Sequence, residues 1–391
     1  MTFKNLLFLT LAFLNFQCNK LTPKPGDESL DEFIEKKRNK IGNIGMQAAY
    51  LKDGKLAWQK SYGVKNIETN DPVDDKTLFM IASSSKPVTA IAIMRMVEMG
   101  QIDLDTDIND YLPFKIHNPN FPSQQITPRM LLSHTSSLND DWDTLDPLYT
   151  LAEGGDSPIE LQYFVKNYFL ETGEFYNKQT NFHNKAPGAH WDYCNMGYVI
   201  LGLIIQEVNK KPFEQYMTED IFLPLGMNDS YWFLRDIPHD NIARPHELVK
   251  KEEPKILPHY GYPDFPDGQL RTTVSDYARF LEVFLNEGMA NGQQFLKPET
   301  VKEFLKVQYP LVHKHQAIAW NYDEMENFIY YRFMPRLPSH TGGDPGVGTI
   351  ITFDPKTKTG AIIFTNSPPN TILKVKSMFL DMIKRLLRAA L

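Results

Sequence analysis

Phe79-Met80-Ile81-Ala82-Ser83-Ser84-Ser85-Lys86, followed by Pro87 to Met99, is the stretch on which the fold turns. The run from Pro87 to Met99 is apolar on nearly every side, interrupted by Thr89, Arg95 and Glu98. A helix apolar all round belongs in the middle of a protein. Pro87 suits its first turn, where a missing N–H costs little, and Gly100 suits its end. Ser83 and Lys86 are three residues apart, so on a helix Oγ and Nζ share one face. At the start of that helix the dipole and the free N–H groups favour developing negative charge. A serine beside a lysine in that setting can be a nucleophile with its base. Taken alone, the same serines would serve equally well as N-caps.

The chain around this stretch has 391 residues, enough for a large core in two or three domains' worth of material. Hydrophobic residues at 42%, charged residues at 23% and aromatics at 12% describe an ordinary globular protein and argue against extended disorder. A net charge of −7, with no basic run, gives no electrostatic reason to expect nucleic acid as a partner. The two cysteines are Cys18 and Cys194. If Cys18 leaves with a leader or carries lipid, no intramolecular disulfide forms and the fold rests on its core.

Outward toward the N-terminus, Lys4 precedes an apolar run from Leu6 to Phe16, the pattern of a secretory signal. It is short for a membrane span. Cys18 stands where a bacterial lipoprotein carries its lipidated cysteine, although Asn15 and Gln17 are poor matches to the usual small residues before it. Residues 1–18 therefore read as a signal peptide or lipoprotein signal, and 19–28, with Pro23, Pro25 and Gly26, as a tether. The expectation is an exported protein of the periplasm or cell envelope, either released or attached to the membrane through Cys18.

Asp31 to Lys40 is helix-prone, and Ile44–Leu51 and Lys55–Tyr62 are strand-like segments joined by Asp53-Gly54, a hairpin signal. From about 104 to 304 few strands are evident. Helical patterns appear at Pro128–Leu138, which ends in a polar turn, and then at Tyr198–Val208, Phe213–Met227 and Ser275–Glu287. Strand-like runs return at Pro345–Phe353 and Gly360–Asn366, and Thr371–Leu391 has helical spacing. Strands at both ends with helices between them predict an α/β (α+β) protein. Its sheet part would be residues 28–103 with 305–391, and 104–304 a mostly helical insertion.

Three separated elements then line up: Ser83-x-x-Lys86, Tyr193-x-Asn195 and His340-Thr341-Gly342. Further matches are Gly100 to Asp105, His134-Thr135 within Leu131–Leu138, Pro187-Gly188, and Leu223-Pro224-Leu225-Gly226-Met227. In this order they resemble the serine β-lactamase and penicillin-binding protein superfamily, in the branch of class C β-lactamases, D,D-peptidases and related esterases. The resemblance covers roughly residues 30–391. It implies an antiparallel sheet flanked by helices, with the active site in the cleft beside the inserted helical part. It also implies an acyl-enzyme hydrolase of amide or ester carbonyls that needs no cofactor and no metal. Its substrate would be a small molecule or peptide. Ser83 would be the nucleophile, with Lys86 and Tyr193 sharing the base work. Asn195 would bind the substrate amide or hold Lys86, while His340, Thr341 and Gly342 bind substrate. The N–H groups of Ser83 and Gly343 would form the oxyanion hole.

Departures bear on the substrate. His340 stands where many β-lactamases have lysine, so the charge facing a substrate carboxylate becomes conditional on pH. Ser137 stands where relatives often have glycine, and Gln269 interrupts a usual Gly-Gly pair. Residues Asn139 to Asn184, rich in Trp142, Tyr149, Phe164, Tyr168, Phe175 and Tyr176, are expected to roof the cleft. A metal hydrolase built on His313-x-His315 lacks a helical ligand motif to support it. The serious rival is a catalytically inactive envelope protein that binds cell-wall peptide.

Overall fold

The computed structural model describes residues 28–248, 253–323, 336–368 and 374–391. The leader, Cys18 and most of the tether lie outside the described residues, as do the first residues of the expected C-terminal helix. Among the described residues no helix is long and apolar enough to cross a membrane.

One antiparallel sheet is assembled from both chain ends. Its N-terminal strands are β1 (Gly45–Lys52), β2 (Lys55–Asn66) and the short β3 (Asp71–Pro72). Its C-terminal strands are β4 (Ser339–Asp344), β5 (Val347–Asp354) and β6 (Thr359–Thr365). The order is β4-β5-β6-β1-β2-β3, so β6 joins the two ends by pairing with β1. Asp53 and Gly54, both at positive φ, make the hairpin between β1 and β2.

Side-chain alternation explains the layers. Along β6, Ala361 and Ile363 face one way and pack with Met46, Ala48 and Ile34. Ile362 and Phe364 face the other way and join the larger core. The first face is covered by α1 (Leu30–Ile41) and the C-terminal helix (Lys374–Ala390), through Met382, Ile383 and Leu386. The opposite face is covered by the helix Val274–Leu285, with Phe280 and Phe284 against Phe353 and Trp320.

The helix expected at Pro87–Met99 is α2 (Lys86–Glu98), buried on most sides, with Pro87 in its first turn. It packs beside α3 (Asn195–Asn209). In the middle of the chain the described strands are two residues long.

Two readings change. His340-Thr341-Gly342-Gly343 forms strand β4 at the sheet edge, so the first C-terminal strand precedes Pro345, with the turn at Gly346. The aromatic segment 139–184 does not supply the described lining of the cleft. Phe164 and Tyr168 are buried in the core, Tyr149 stacks on Tyr262 at 4.4 Å, and Trp142 is exposed. Aromatic side chains of this size gain more from burial than from lining an open groove.

Candidate active site

Ser83 lies in a 3-10 turn, Ala82–Ser85, that leads directly into α2. Ala82 has φ 48°, a left-handed conformation uncommon for alanine, and this turns the chain sharply before the serine. Of the three serines only Ser83 reaches the cleft. Ser84 shares a 2.8 Å hydrogen bond with Thr349 Oγ1, and Ser85 donates to the Ala82 carbonyl at 2.7 Å. The turn is held from the side by β4, where Gly342 comes so close that a Cβ would stand 2.3 Å from the Ile81 carbonyl oxygen. Gly342 is thus a close-approach glycine behind the cleft, whereas Thr341 and Gly343 line it.

Lys86 is fully buried, and its Nζ donates to Ser83 Oγ at 3.2 Å. It also donates to the backbone oxygen of Asp267 at 3.1 Å and to Asp267 Oδ2 at 3.0 Å. Burial works against its charge, but Asp267 and Tyr193 outweigh burial and hold it above the ordinary lysine value. Asp267, which sequence reasoning missed, sits in a Pro-Asp-Gly turn and carried no signal beyond that of a turn residue.

Tyr193 brings its ring to 5.0 Å from Lys86 Nζ. Burial raises its hydroxyl, while the Lys86 ammonium and hydrogen bonding by Ser83 and Lys86 pull it down, and the net direction is upward. The residue lines the cleft and is 37% exposed, so water moderates the burial effect. The ring stacks on His134 at 4.4 Å. His134 Nδ1 accepts from the Cys194 N–H at 3.2 Å, which ties the tyrosine's segment to the loop after Leu132.

Asn195 opens α3 beneath the cleft. Its N–H and that of Met196 donate to the half-buried carboxylate of Asp140 at 2.8 and 2.9 Å, a cap on the helix N-terminus. Cys194 is buried, as a small apolar residue would be, and its Sγ donates to Asp140 at 3.4 Å. The Asn195 Oδ1 is buried without a hydrogen-bond partner among the described residues. The partner expected for Lys86 at this point is instead Asp267.

His340 lines the cleft but is held neutral: burial and the nearby Lys86 push its pKa down to about 3. Its Nδ1 lies 2.7 Å from the Thr341 carbonyl oxygen. A carbonyl only accepts, so Nδ1 carries the proton and Nε2 keeps its lone pair. The cleft, about 250 Å³, is lined by Ser83, Tyr193, His340, Thr341 and Gly343, with Trp191, Gln316, Ala319, Asn321 and His134. That described lining contains no lysine or arginine. Trp191 stacks on His313 at 4.4 Å, and His315 pairs with Asp323.

The other two departures have structural partners. Gln269 is buried; its Oε1 accepts from the Tyr262 N–H and its Nε2 donates to the Trp232 carbonyl, both at 2.8 Å. Ser137 takes a positive φ of 66° and hydrogen-bonds Asn118 at 2.7 Å and the Lys185 carbonyl.

The chain has relatives among known proteins. Protein flp of Staphylococcus aureus (strain N315) is 23% identical over 339 residues, covering 87% of this chain. The chain spans 63% of the length of that relative. Among solved structures, the penicillin-binding protein from Bacillus halodurans superposes with a TM-score of 0.69 at 22% identity, covering 90% of this chain and 98% of its own. EstCE1, a hydrolase with promiscuous acyltransferase activity, does so with 0.70 at 16% identity, covering 92% and 98%. These structures share the fold. A model of the Beta-lactamase family matches residues 30–378, and the chain belongs to that family.

Proposed function

We propose that the protein is a serine acyl hydrolase that forms an acyl-enzyme on Ser83, with uncharged esters or amides as its preferred substrates. The observation that carries this reading is the cleft itself: a serine held by a buried lysine, in a described lining with no permanent cation. In molecules whose Tyr193 phenol is ionised, Oγ of Ser83 attacks the carbonyl carbon and passes its proton to the Tyr193 oxygen, while the Lys86 ammonium stabilises the phenolate before transfer. The carbonyl oxygen becomes an oxyanion beside the N–H groups of Ser83 and Gly343. Tyr193 returns the proton to the leaving oxygen or nitrogen as its bond to carbon breaks. Water then releases the acyl group by the reverse sequence.

The preference for uncharged substrates follows from His340. A neutral imidazole with a free Nε2 lone pair offers an acceptor, which suits a substrate N–H or O–H and repels a carboxylate. The named chemistry of EstCE1 is compatible with this reading. The test compares p-nitrophenyl butyrate, nitrocefin and a D-Ala-D-Ala peptide with its C-terminal amide. Ester hydrolysis and a preference for the amide-capped peptide are expected, with Ser83→Ala reducing turnover by at least about 10³-fold at unchanged melting temperature. Selective use of the free-acid peptide, or full activity in Ser83→Ala, would sink the proposal.

The same reading places the protein in the cell envelope, supported by the leader-like N-terminus. Mass spectrometry of the mature N-terminus is the test. A lipid on Cys18 or a cut near it is expected, and an intact Met1 in a cytosolic fraction would overturn it.

A further inference from the structure

We propose that Asp267 is a positioning residue for the reaction: its carboxylate fixes the Lys86 ammonium beside Ser83, so that Tyr193 rather than Lys86 receives the serine proton. The inference rests on the acyl-enzyme reading of Ser83.

The geometry around Nζ carries it. An ammonium has three N–H donors; around this one stand Ser83 Oγ at 3.2 Å, the Asp267 backbone oxygen at 3.1 Å and Asp267 Oδ2 at 3.0 Å, together with the hydrogen-bonded Tyr193 hydroxyl. Both atoms of Asp267 only accept, which commits two of the donors. What faces Ser83 is therefore either the third N–H or, in a neutral amine, the lone pair. The buried charges decide between them. Lys86 is fully buried and the Asp267 side chain is 8% exposed. Removing the lysine proton would leave a buried carboxylate without its counter-charge, which is strongly unfavourable. The third N–H therefore points at the Ser83 and Tyr193 oxygens, and the lone pair that accepts the serine proton does not belong to Lys86. The Tyr193 oxygen, hydrogen-bonded to Ser83, supplies it in the ionised form of that phenol.

The surrounding groups do not replace Asp267. Tyr193 and Tyr198 present their rings to Nζ at 5.0 and 5.7 Å. His134 and His340 are driven toward the neutral form by burial, with Lys86 adding to the effect. Burial raises Asp140, Asp264 and Asp344, the other carboxyls that couple electrostatically to this pair, and raises the Cys194 thiol. Burial also pushes Asp267 itself upward, but the ammonium bonded to Oδ2 pulls it back, and we take the pair as ionised. Asp267 in turn raises both Lys86 and Tyr193.

Removing its charge should therefore let both neighbours lose protons more easily. In Asp267→Asn the rising limb of kcat/KM for p-nitrophenyl butyrate should move to lower pH by about one unit, with Asp267→Glu staying near the wild-type position. A residue that only supports packing would lower the amplitude and leave the limb in place. That result would overturn the proposal.

A second measurement does not depend on activity or on a variant that folds. In the native protein, 13C NMR of the lysine Cε carbons should show Lys86 still cationic above pH ~10.4, where an ordinary lysine is half neutral. Titration of Lys86 below about pH 9 in the native protein would overturn the proposal. If the native protein hydrolyses no ester or amide, the acyl-enzyme reading fails, while the Lys86 titration still decides the pairing with Asp267.

Discussion

Neighbours, more than intrinsic reactivity, separate the residues of this site. Ser84 and Ser85 have the same hydroxyl as Ser83, but theirs are committed to Thr349 and to the Ala82 carbonyl. His340 shows the same dependence on surroundings. Its folded pKa is depressed to about 3, against about 6.5 for an unfolded histidine. A depressed histidine favours the neutral form in the fold, so its contribution to stability is fully present above pH ~6.5 and is lost as pH falls from there toward ~3. Each pH unit in that window is worth about 1.4 kcal/mol for one site. Between pH ~6.5 and ~5, urea unfolding of the wild type should lose about 2 kcal/mol more than His340→Gln, which cannot titrate. Parallel losses in the two proteins would mean that His340 titrates in the fold as it does in the unfolded chain, and the argument from a permanently neutral His340 would fall with it.

At the scale of elements, the site depends on how closely β4 approaches the 3-10 turn of Ser83. Gly342 sets that distance, because a Cβ there would lie 2.3 Å from both the Ile81 oxygen and Thr349 Oγ1. Neither neighbour gives way cheaply, since one is backbone and the other is hydrogen-bonded to Ser84 and to the Ile81 carbonyl. Gly342→Ala should push the strand outward by a fraction of an ångström to an ångström and reduce kcat/KM by about 10²-fold, because attack geometry is sensitive on that scale. Measured kinetics within about two-fold of wild type would show that the strand and the turn are not coupled. This element was also the least legible in the sequence. His340-Thr341-Gly342-Gly343 reads as turn chemistry, yet it forms a strand because β5 supplies a partner along its whole length. The helices α2 and α3 were legible because long apolar runs have few other destinations. Asp267 was not, because it lies 181 residues from Lys86 and nothing local to either residue announces the pair.

For the whole molecule, the closing of the sheet by both chain ends ties the site to distant packing. β4, which lines the cleft, is linked through β5 and β6 to β1, and the C-terminal helix covers β1 and β6 together. Ile383 is fully buried in that layer, in one cluster with Met46, Ala48 and Ile363. This join was visible in outline from the strand-like ends of the sequence. Its register was not, because pairing across some 300 residues leaves no local pattern. Ile383→Ala should cost about 2–4 kcal/mol through lost burial and the cavity left behind. The loss should not stay at the C-terminus. If the sheet unfolds as one unit, circular dichroism and binding of a fluorophosphonate probe at Ser83 should both shift to lower urea concentration, with coincident midpoints. A C-terminal helix that detaches first would instead lower the helical signal while Ser83 remained reactive. That separation would show that the cleft is held by the inserted helices and α2, and that the terminal layer only covers the sheet.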